Sequence, residues 1–471
     1  MDRHPPVLPL SLGTRPPVPV SNHGNRNKPR KCGGAVNPMN SSIARGALAV
    51  LLVAITAGAR QPQVRQSTPP TTTAATTASI AMAAEAETRF ALDLYAQLIE
   101  QGGNVVVSPL SVFSALAILH AGARGKTAAQ IEGVLSVPEG AQGLVAGIAG
   151  LSRSLAADAE SGRYRFELRH AIWVDRRFGF RPGYRSRIRG ELGAEVNDAE
   201  FGPEADRIDQ AVDAWMARTV RPATPAGNAA PDRGAMNVVG PGSVFLVASA
   251  ARFSAQWAGW FDESSTGDGV FHVSEGVTAK VSFMRPSHGY GWYGYHETAE
   301  LQVLSLPYDG GTTAMLVLLP TKRDGLAALE RTLAVGRLRE WIAQLKPGQV
   351  RVEFPKFDFG YESGFDEALG RMGMPAAFSS EADFSAMVTN PLGLRLSAVA
   401  HRARITIDEY GTDAEAETRA GGVPGGISMY EKPKPHFRAD HPFAFFIVDT
   451  RTGAVLFAGR VANPGASGRA A

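Results

Sequence analysis

The sequence predicts an α+β domain with antiparallel sheets, because helical spacing dominates its first half, two-residue alternation dominates its second, and few strand–helix–strand units join them. Phe90, Leu94 and Leu98 recur at helical spacing and Gly102-Gly103 closes the pattern, so regular structure is expected from about Ala83. Ser108-Pro109 then offers an N-cap and a proline at the first helical position; Leu116 and Leu119 mark the apolar side, and Gly122 stops the helix. Thr127-Ala-Ala-Gln130 reads as a capping box for a third helix. Later, residues 301–307 and 313–319 flank Asp309-Gly310-Gly311, a strong hairpin signal. Val350, Val352 and Phe354 alternate with Arg351, Glu353 and Pro355, and residues 443–449 and 454–459 form a last hairpin around 450–453. No internal repeat and no Gly/Ser linker divides residues 83–466, so they read as one domain, with the Pro/Gly-rich stretch 221–242 as a surface loop.

At 44% hydrophobic and 20% charged over 471 residues, the chain has ample apolar content for a large core. The single cysteine, Cys32, lies in the N-terminal region, which leaves the folded part without a disulfide or a cysteine-based metal site. The ten histidines show no His-Glu-x-x-His or comparable ligand spacing. The formal charge of +3 misleads: eight of the 48 Lys/Arg but only one of the 45 acids (Asp2) fall in residues 1–60, leaving 40 basic against 44 acidic residues. A remainder near −4 argues against nucleic acid as the main partner.

The N-terminal region reads as an address. Residues 1–38 are rich in Pro, Asn and basic residues without an apolar period, the composition of a disordered or untranslated leader. From Met39, Arg45 precedes an apolar run over 46–58 that ends in Ala57-Gly58-Ala59, the pattern of a secretory signal with an A-x-A-like cleavage site. The run is short for a membrane span and Arg60 ends it. Residues 39–59 are therefore expected to be a signal peptide, 60–82 a Thr/Ala-rich linker and 467–471 a tail. Export is the expectation, to the extracellular space, or to a periplasm in a bacterium.

Familiar enzyme chemistry is missing. Gly125-Lys126-Thr127 mimics the end of a phosphate-binding loop, but the position five residues before Gly125 is His120 and a helix precedes the segment. No G-x-S-x-G elbow supplies a hydrolase nucleophile. Arg176, Arg177, Arg181, Arg185, Arg187 and Arg189 cluster locally, and the expected reading is a solvated helix face rather than a polyanion site.

One segment stands apart. From Gly411 to Gly426 the chain is too poor in large apolar residues for a core strand, yet it alternates. Thr412, Ala414, Ala416, Thr418 and Ala420 are small, while Asp413, Glu415, Glu417 and Arg419 are charged. As a strand it would have one face of small side chains and one solvated face. Small residues suit a strand that slides between two existing strands over a packed core, and the charges keep the segment soluble while it is outside.

A series of motifs follows in order over about residues 83–466. They include Asn104-Val-Val-Val-Ser108-Pro109-Leu-Ser111, Gly122-Ala123-Arg-Gly125-Lys-Thr127, and Phe253-Ser-Ala-Gln-Trp257 with Phe261, Thr266 and Phe271. Leu306-Pro307-Tyr308, Leu319-Pro320, Phe354-Pro-Lys-Phe357 and Ala382-Asp383-Phe384-Ser385 follow. His401, Asp440-His441-Pro442-Phe443, Leu456-Phe457-Ala-Gly459-Arg460-Val461 and Asn463-Pro464 complete the set, which in its order and spacing resembles the serpin family. The resemblance implies a single domain of helices packed around three mostly antiparallel β-sheets, with an exposed reactive-centre loop. Two departures stand out: Ala248-Ser249-Ala250 replaces the usual Val-Asn-Ala, and Val220-Arg-Pro-Ala replaces an Asn-Gly-Lys-Ile turn.

By the resemblance, Gly411, Thr412, Asp413, Ala414, Glu415 and Ala416 form the loop hinge, and Ser108, Ser111, Ser249 and His401 form a hydrogen-bonded cluster under the main sheet that governs its opening. Serine in place of asparagine at 249 reaches less far. The family's loop spacing puts the reactive bond at Gly425–Gly426 when counted from Gly411; counting back from Phe437 and Pro442 points instead near Ser428–Met429. The implied function is not an enzyme but a monomeric inhibitor that traps serine proteases covalently, without cofactor or metal. The sequence near the bond, apolar and without Lys or Arg, favours elastase-like or subtilisin-like partners; nucleic acid and stable membrane insertion are not expected. The rival readings are a non-inhibitory serpin acting as chaperone or carrier, and a cross-class inhibitor of cysteine proteases.

Overall fold

The helix Thr77–Leu98, extended by a tighter turn Ile99–Gln101, stops where Gly102 and Gly103 take φ of 74° and 72°. It begins at Thr77 rather than near Ala83, because its first turns pack on the helix Leu144–Glu160: a Cβ on Gly147 would lie 2.5 Å from the Ser79 carbonyl oxygen, so glycine there lets the two backbones meet. The computed structural model describes residues 77–137, 143–160, 164–202, 204–219, 238–240, 242–259, 261–412 and 434–466, all within one compact unit, Pro70–Ala471.

The helix Pro109–Gly122 is apolar nearly all round and is buried at the centre of the molecule, as such a composition requires. Ser108 caps it, its Oγ accepting the Ser111 N–H at 3.4 Å. The expected capping box at Thr127 is not one. The helix starts at Gly125, Thr127 and Gln130 lie inside it, and their side chains accept the backbone N–H groups of Asp383 and Ala376, both at 2.9 Å. The two polar side chains tie the helix to a neighbouring segment instead of to its own start.

The expected hairpins form, Leu301–Pro307 with Thr313–Pro320 and Phe443–Asp449 with Val455–Val461. Strand Lys346–Pro355 buries Val350, Val352 and Phe354 as its alternation predicts, but it also buries Glu353, which is 4% exposed. Arg285 and His436 from the flanking strands close over that carboxylate at 2.9 and 3.0 Å. The same strand pairs at its start with Tyr290–Glu297 and at its end with Val277–Arg285. Two of the three expected sheets are thereby fused edge to edge into one of ten strands.

The six-stranded sheet carries the functional argument. Its order is Phe357–Gly364, Ala398–Ile407, Gly411–Thr412, Phe245–Gln256, Tyr164–Asp175, Glu195–Ala199. One face meets the central helix. The other is covered by the helix Ala205–Thr219, where Trp215 meets Trp173 edge-on at 5.9 Å. Among the described residues no helix is long and apolar enough to cross a membrane; the apolar run 46–58 and Val220 lie outside them.

Candidate functional site

The strands Ala398–Ile407 and Phe245–Gln256 run parallel. They pair directly only from Ala398↔Leu246 to Arg402↔Ala250. At the far end Gly411–Thr412 lies between them, antiparallel to both, with Thr412 opposite Ile407 on one side and Ala255 on the other. One strand spacing therefore separates the two parallel strands at Arg402, and two separate them at Thr412, about 4.8 Å widening to about 9.6 Å. The sheet is a wedge whose open end already holds two residues of the predicted hinge.

A turn delivers them. Asp408 Oδ1 accepts the N–H groups of Tyr410 and Gly411 at 2.9 and 3.1 Å, and the Asp408 N–H donates to the Gly411 carbonyl at 3.1 Å. Burial raises the Asp408 carboxyl above the usual range, against the pull of those two N–H bonds. Trp257 braces the turn from outside: its backbone N–H donates to the Tyr410 carbonyl at 2.8 Å and its indole N–H to the Asp408 carbonyl at 3.0 Å. Glu409 is buried, 3% exposed, with its carboxylate 2.6 Å from Lys356 Nζ and 2.8 Å from the Thr266 hydroxyl. Burial opposes its ionisation, but Lys356 and Thr266 outweigh that and hold its carboxyl below the ordinary glutamate range.

Gly411 has no room for a side chain, since a Cβ would enter the Ala255 carbonyl oxygen. Thr412 is 2% exposed, and its hydroxyl meets the Tyr308 hydroxyl at 2.5 Å. Burial pushes the Tyr308 phenol far above its ordinary range, so it is neutral and able to donate. Trp257 stacks on the Tyr308 ring at 4.6 Å and Phe253 meets its edge at 5.0 Å, which fixes the ring. The remaining expected hinge residues, Asp413, Ala414, Glu415 and Ala416, and both candidate reactive bonds, Gly425–Gly426 and Ser428–Met429, lie outside the described residues.

Three of the four expected cluster residues meet through His401. The Ser108 N–H donates to His401 Nε2 at 3.1 Å, which places the imidazole proton on Nδ1, 3.0 Å from Ser249 Oγ. Ser249 therefore reaches the ring. Ser111 joins only through its backbone N–H to Ser108, and among the described residues its hydroxyl has no partner. Burial lowers the His401 imidazole to about 3, so the ring is neutral.

Tyr308, Trp257, Asp408, Glu409 and Lys356 were not among the residues assigned to the site from sequence. Asp408-Glu-Tyr-Gly411 carries a legible turn signal, but nothing local announces that Tyr308 and Thr412 meet across a separation of 104 residues. The six arginines of the local cluster are individually partnered. Arg176 pairs with Glu200, Arg177 with Asp175, Arg185 with Asp198 and Arg187 with Glu191, while Arg181 and Arg189 donate to the Ser385 and Val196 carbonyls. Only Arg185, Arg187 and Arg189 lie on the helix Pro182–Leu192; Arg176, Arg177 and Arg181 precede it, so the cluster is not one helix face.

Comparison with known proteins agrees with this geometry. Residues 85–464 match the family model described as serpin (serine protease inhibitor). An uncharacterised serpin-like protein of Thermococcus kodakarensis is 32% identical over 80% of this chain and 84% of its own length. The leukocyte elastase inhibitor of Bos taurus is 31% identical over 80% of this chain and 98% of its own. Among solved structures, the insect serpin Serpin48 of Tenebrio molitor superposes with a TM-score of 0.67 at 24% identity, over 81% of this chain and 98% of that one. Human thyroxine-binding globulin superposes with a TM-score of 0.67 at 24% identity, over 82% of this chain and 99% of that one. With the family model covering nearly all the described residues, and with the wedge-shaped sheet they build, this chain belongs to the serpin family.

Proposed function

We propose that the chain is a secreted inhibitor of serine proteases that traps its target covalently by inserting its own loop into the six-stranded sheet. The seating of Thr412 between Ile407 and Ala255 carries the reading, because it gives an inserting strand a starting register. A protease attacks the loop as a substrate and forms an acyl-enzyme. The freed segment after Thr412 then zips in along the wedge, its small residues facing the core and its charges facing out. The attached protease is carried along and its oxyanion hole distorted, and losing one such donor slows deacylation by about 10²–10³.

The elastase-like or subtilisin-like preference rests on residues 423–429, which hold no Lys or Arg, and agrees with the name of the bovine relative. Gly425–Gly426 is the favoured reactive bond, because counting from the hinge fixes the length of strand that must go in. Secretion rests on Arg45, the run 46–58 and Ala57-Gly58-Ala59. The test is a panel of serine proteases mixed with the mature protein, read on a denaturing gel for a band at the summed masses and by mass spectrometry for the cleaved bond. Cleavage without such a band across the panel would make the protein a substrate or a non-inhibitory member. N-terminal sequencing of exported protein should begin near Arg60; an intact Met1 or Met39 inside the cell would overturn secretion.

A further inference from the structure

His170, Ser249 and His401 stand side by side on three strands. Ser249 is in register with His170 on strand Tyr164–Asp175 and with His401 on strand Ala398–Ile407. All three point into the core, since their neighbours Ala171, Ala248, Ala250 and Ala400 belong to the cluster on the opposite face. His170 is 3% exposed and His401 is fully buried, and His170 Nδ1 has no hydrogen-bond partner among the described residues. The direct pairing of the two parallel strands, the closed end of the wedge, runs through this level at His401↔Ser249.

Among the described residues neither imidazole has a counter-charge. On the strands around them the charged side chains Glu167, Arg169, Arg252, Glu362 and Arg402 fall on the other face by alternation. The strand Val105–Val107 brings only valines. The central helix brings Ser111 and Ser114; its one titratable group, His120, is at its far end and paired with Glu132 at 2.8 Å. On the helix Leu144–Glu160, Arg153 is solvent-exposed. The ring of Phe365 lies against His401 at 5.6 Å. Among the described residues the one charge that acts on His401 is the His170 imidazole, should it protonate.

We propose that His170 and His401 form a proton-operated latch on the sheet: neutral, they keep its parallel strands paired, and in mild acid they open it without any cleavage. A proton on His401 Nε2 would face the Ser108 N–H donor and cost that hydrogen bond, and a cation at either ring has no partner until water reaches it. Parting the strands at Ser249 admits that water. Burial alone lowers His170 to about 4, and burial followed by His170 lowers His401 to about 3. A hydrated imidazole titrates near 6.5. The closed sheet is therefore favoured fully above pH 6.5, and it loses up to tenfold against the open one per pH unit per imidazole as pH falls from there toward the closed-state values.

Amide exchange of residues 398–402 in the intact, protease-free protein, corrected for the intrinsic effect of pH, reads this opening. Between pH 7.5 and 5.0 opening should rise about 30-fold for each imidazole that becomes hydrated. The hairpin 443–461 is the control and should change by less than about 3-fold in the same samples. In His170→Asn the ratio of the opening at pH 5.0 to that at pH 7.5 should fall by at least about 5-fold, whatever the level of opening at pH 7.5. If that variant does not fold, exchange of the imidazole C2 hydrogens in the wild type, read on peptides 170–176 and 396–402, should lose its protection over the same pH range. A pH-independent opening, an increase shared by the control hairpin, C2 hydrogens that stay protected in acid, or an undiminished increase in His170→Asn would each overturn the latch.

Discussion

The hydroxyls of Thr412 and Tyr308 lie 2.5 Å apart, so Thr412, already seated in the sheet, is tied to a ring that Trp257 and Phe253 hold in place. Under the proposed mechanism the contact makes Thr412 a register pin, which sets the face that an inserting strand turns to the core. Four expected outcomes follow from that position and its surroundings.

Thr412→Arg asks the sheet to bury an unpaired guanidinium, at a cost of several kcal/mol even after relaxation. Insertion slows while the loop stays equally accessible, so the inhibitor becomes a substrate, with cleavage intact and trapping lost. Asp413→Arg is the control, because that side chain should remain in water. The denaturing-gel assay reads both. Equal trapping by the two variants would rule out the inserted-strand mechanism for this protein.

Tyr308→Phe keeps the stack on Trp257 and removes only the hydroxyl that meets Thr412. A loss of about 0.5–1.5 kcal/mol is expected, or a 2- to 10-fold rise in amide exchange at residues 408–412. Unchanged exchange there would show that the hydroxyl pair does not hold the hinge.

Lys356→Met leaves the Glu409 carboxylate buried without its cation and should cost about 1–3 kcal/mol at neutral pH. The sign in pH is set by a lowered carboxyl: its contribution is complete above the ordinary value near 4.5 and is lost as pH falls through the lowered one. Urea denaturation should show the gap between the variant and wild type narrowing as pH falls below the ordinary value. A gap that persists in acid would assign the effect to packing by the lysine stem.

Cleaving the loop anywhere in 425–429 should raise the heat resistance of the wild type well above that of the intact protein, because a full strand then pairs on both sides. Gly411→Ala should lower the melting temperature of the intact and cleaved forms alike, since the methyl group collides with the Ala255 carbonyl oxygen in a pairing already present before cleavage. Calorimetry before and after limited proteolysis measures both. A cleaved wild type that melts with the intact one would mean that no strand has gone in.

Much of this protein was legible in one dimension. Period 3.6 around Phe90 and Leu94, the Ser108-Pro109 cap and the Asp309-Gly310-Gly311 turn are local signals, and local energetics decide them. The alternation from Thr412 onward is equally local, so a segment suited to strand insertion could be named from sequence. Thr127 and Glu353 were misread for the opposite reason. Each follows a local pattern, yet each is claimed by a partner far along the chain, Asp383 for the first and Arg285 and His436 for the second. Only the tertiary structure could decide that the sheet is a wedge, that Tyr308 receives Thr412, and that two imidazoles flank Ser249. These follow from strand order and register, which depend on which distant segments pair to bury one shared core, and no spacing within a segment encodes that choice.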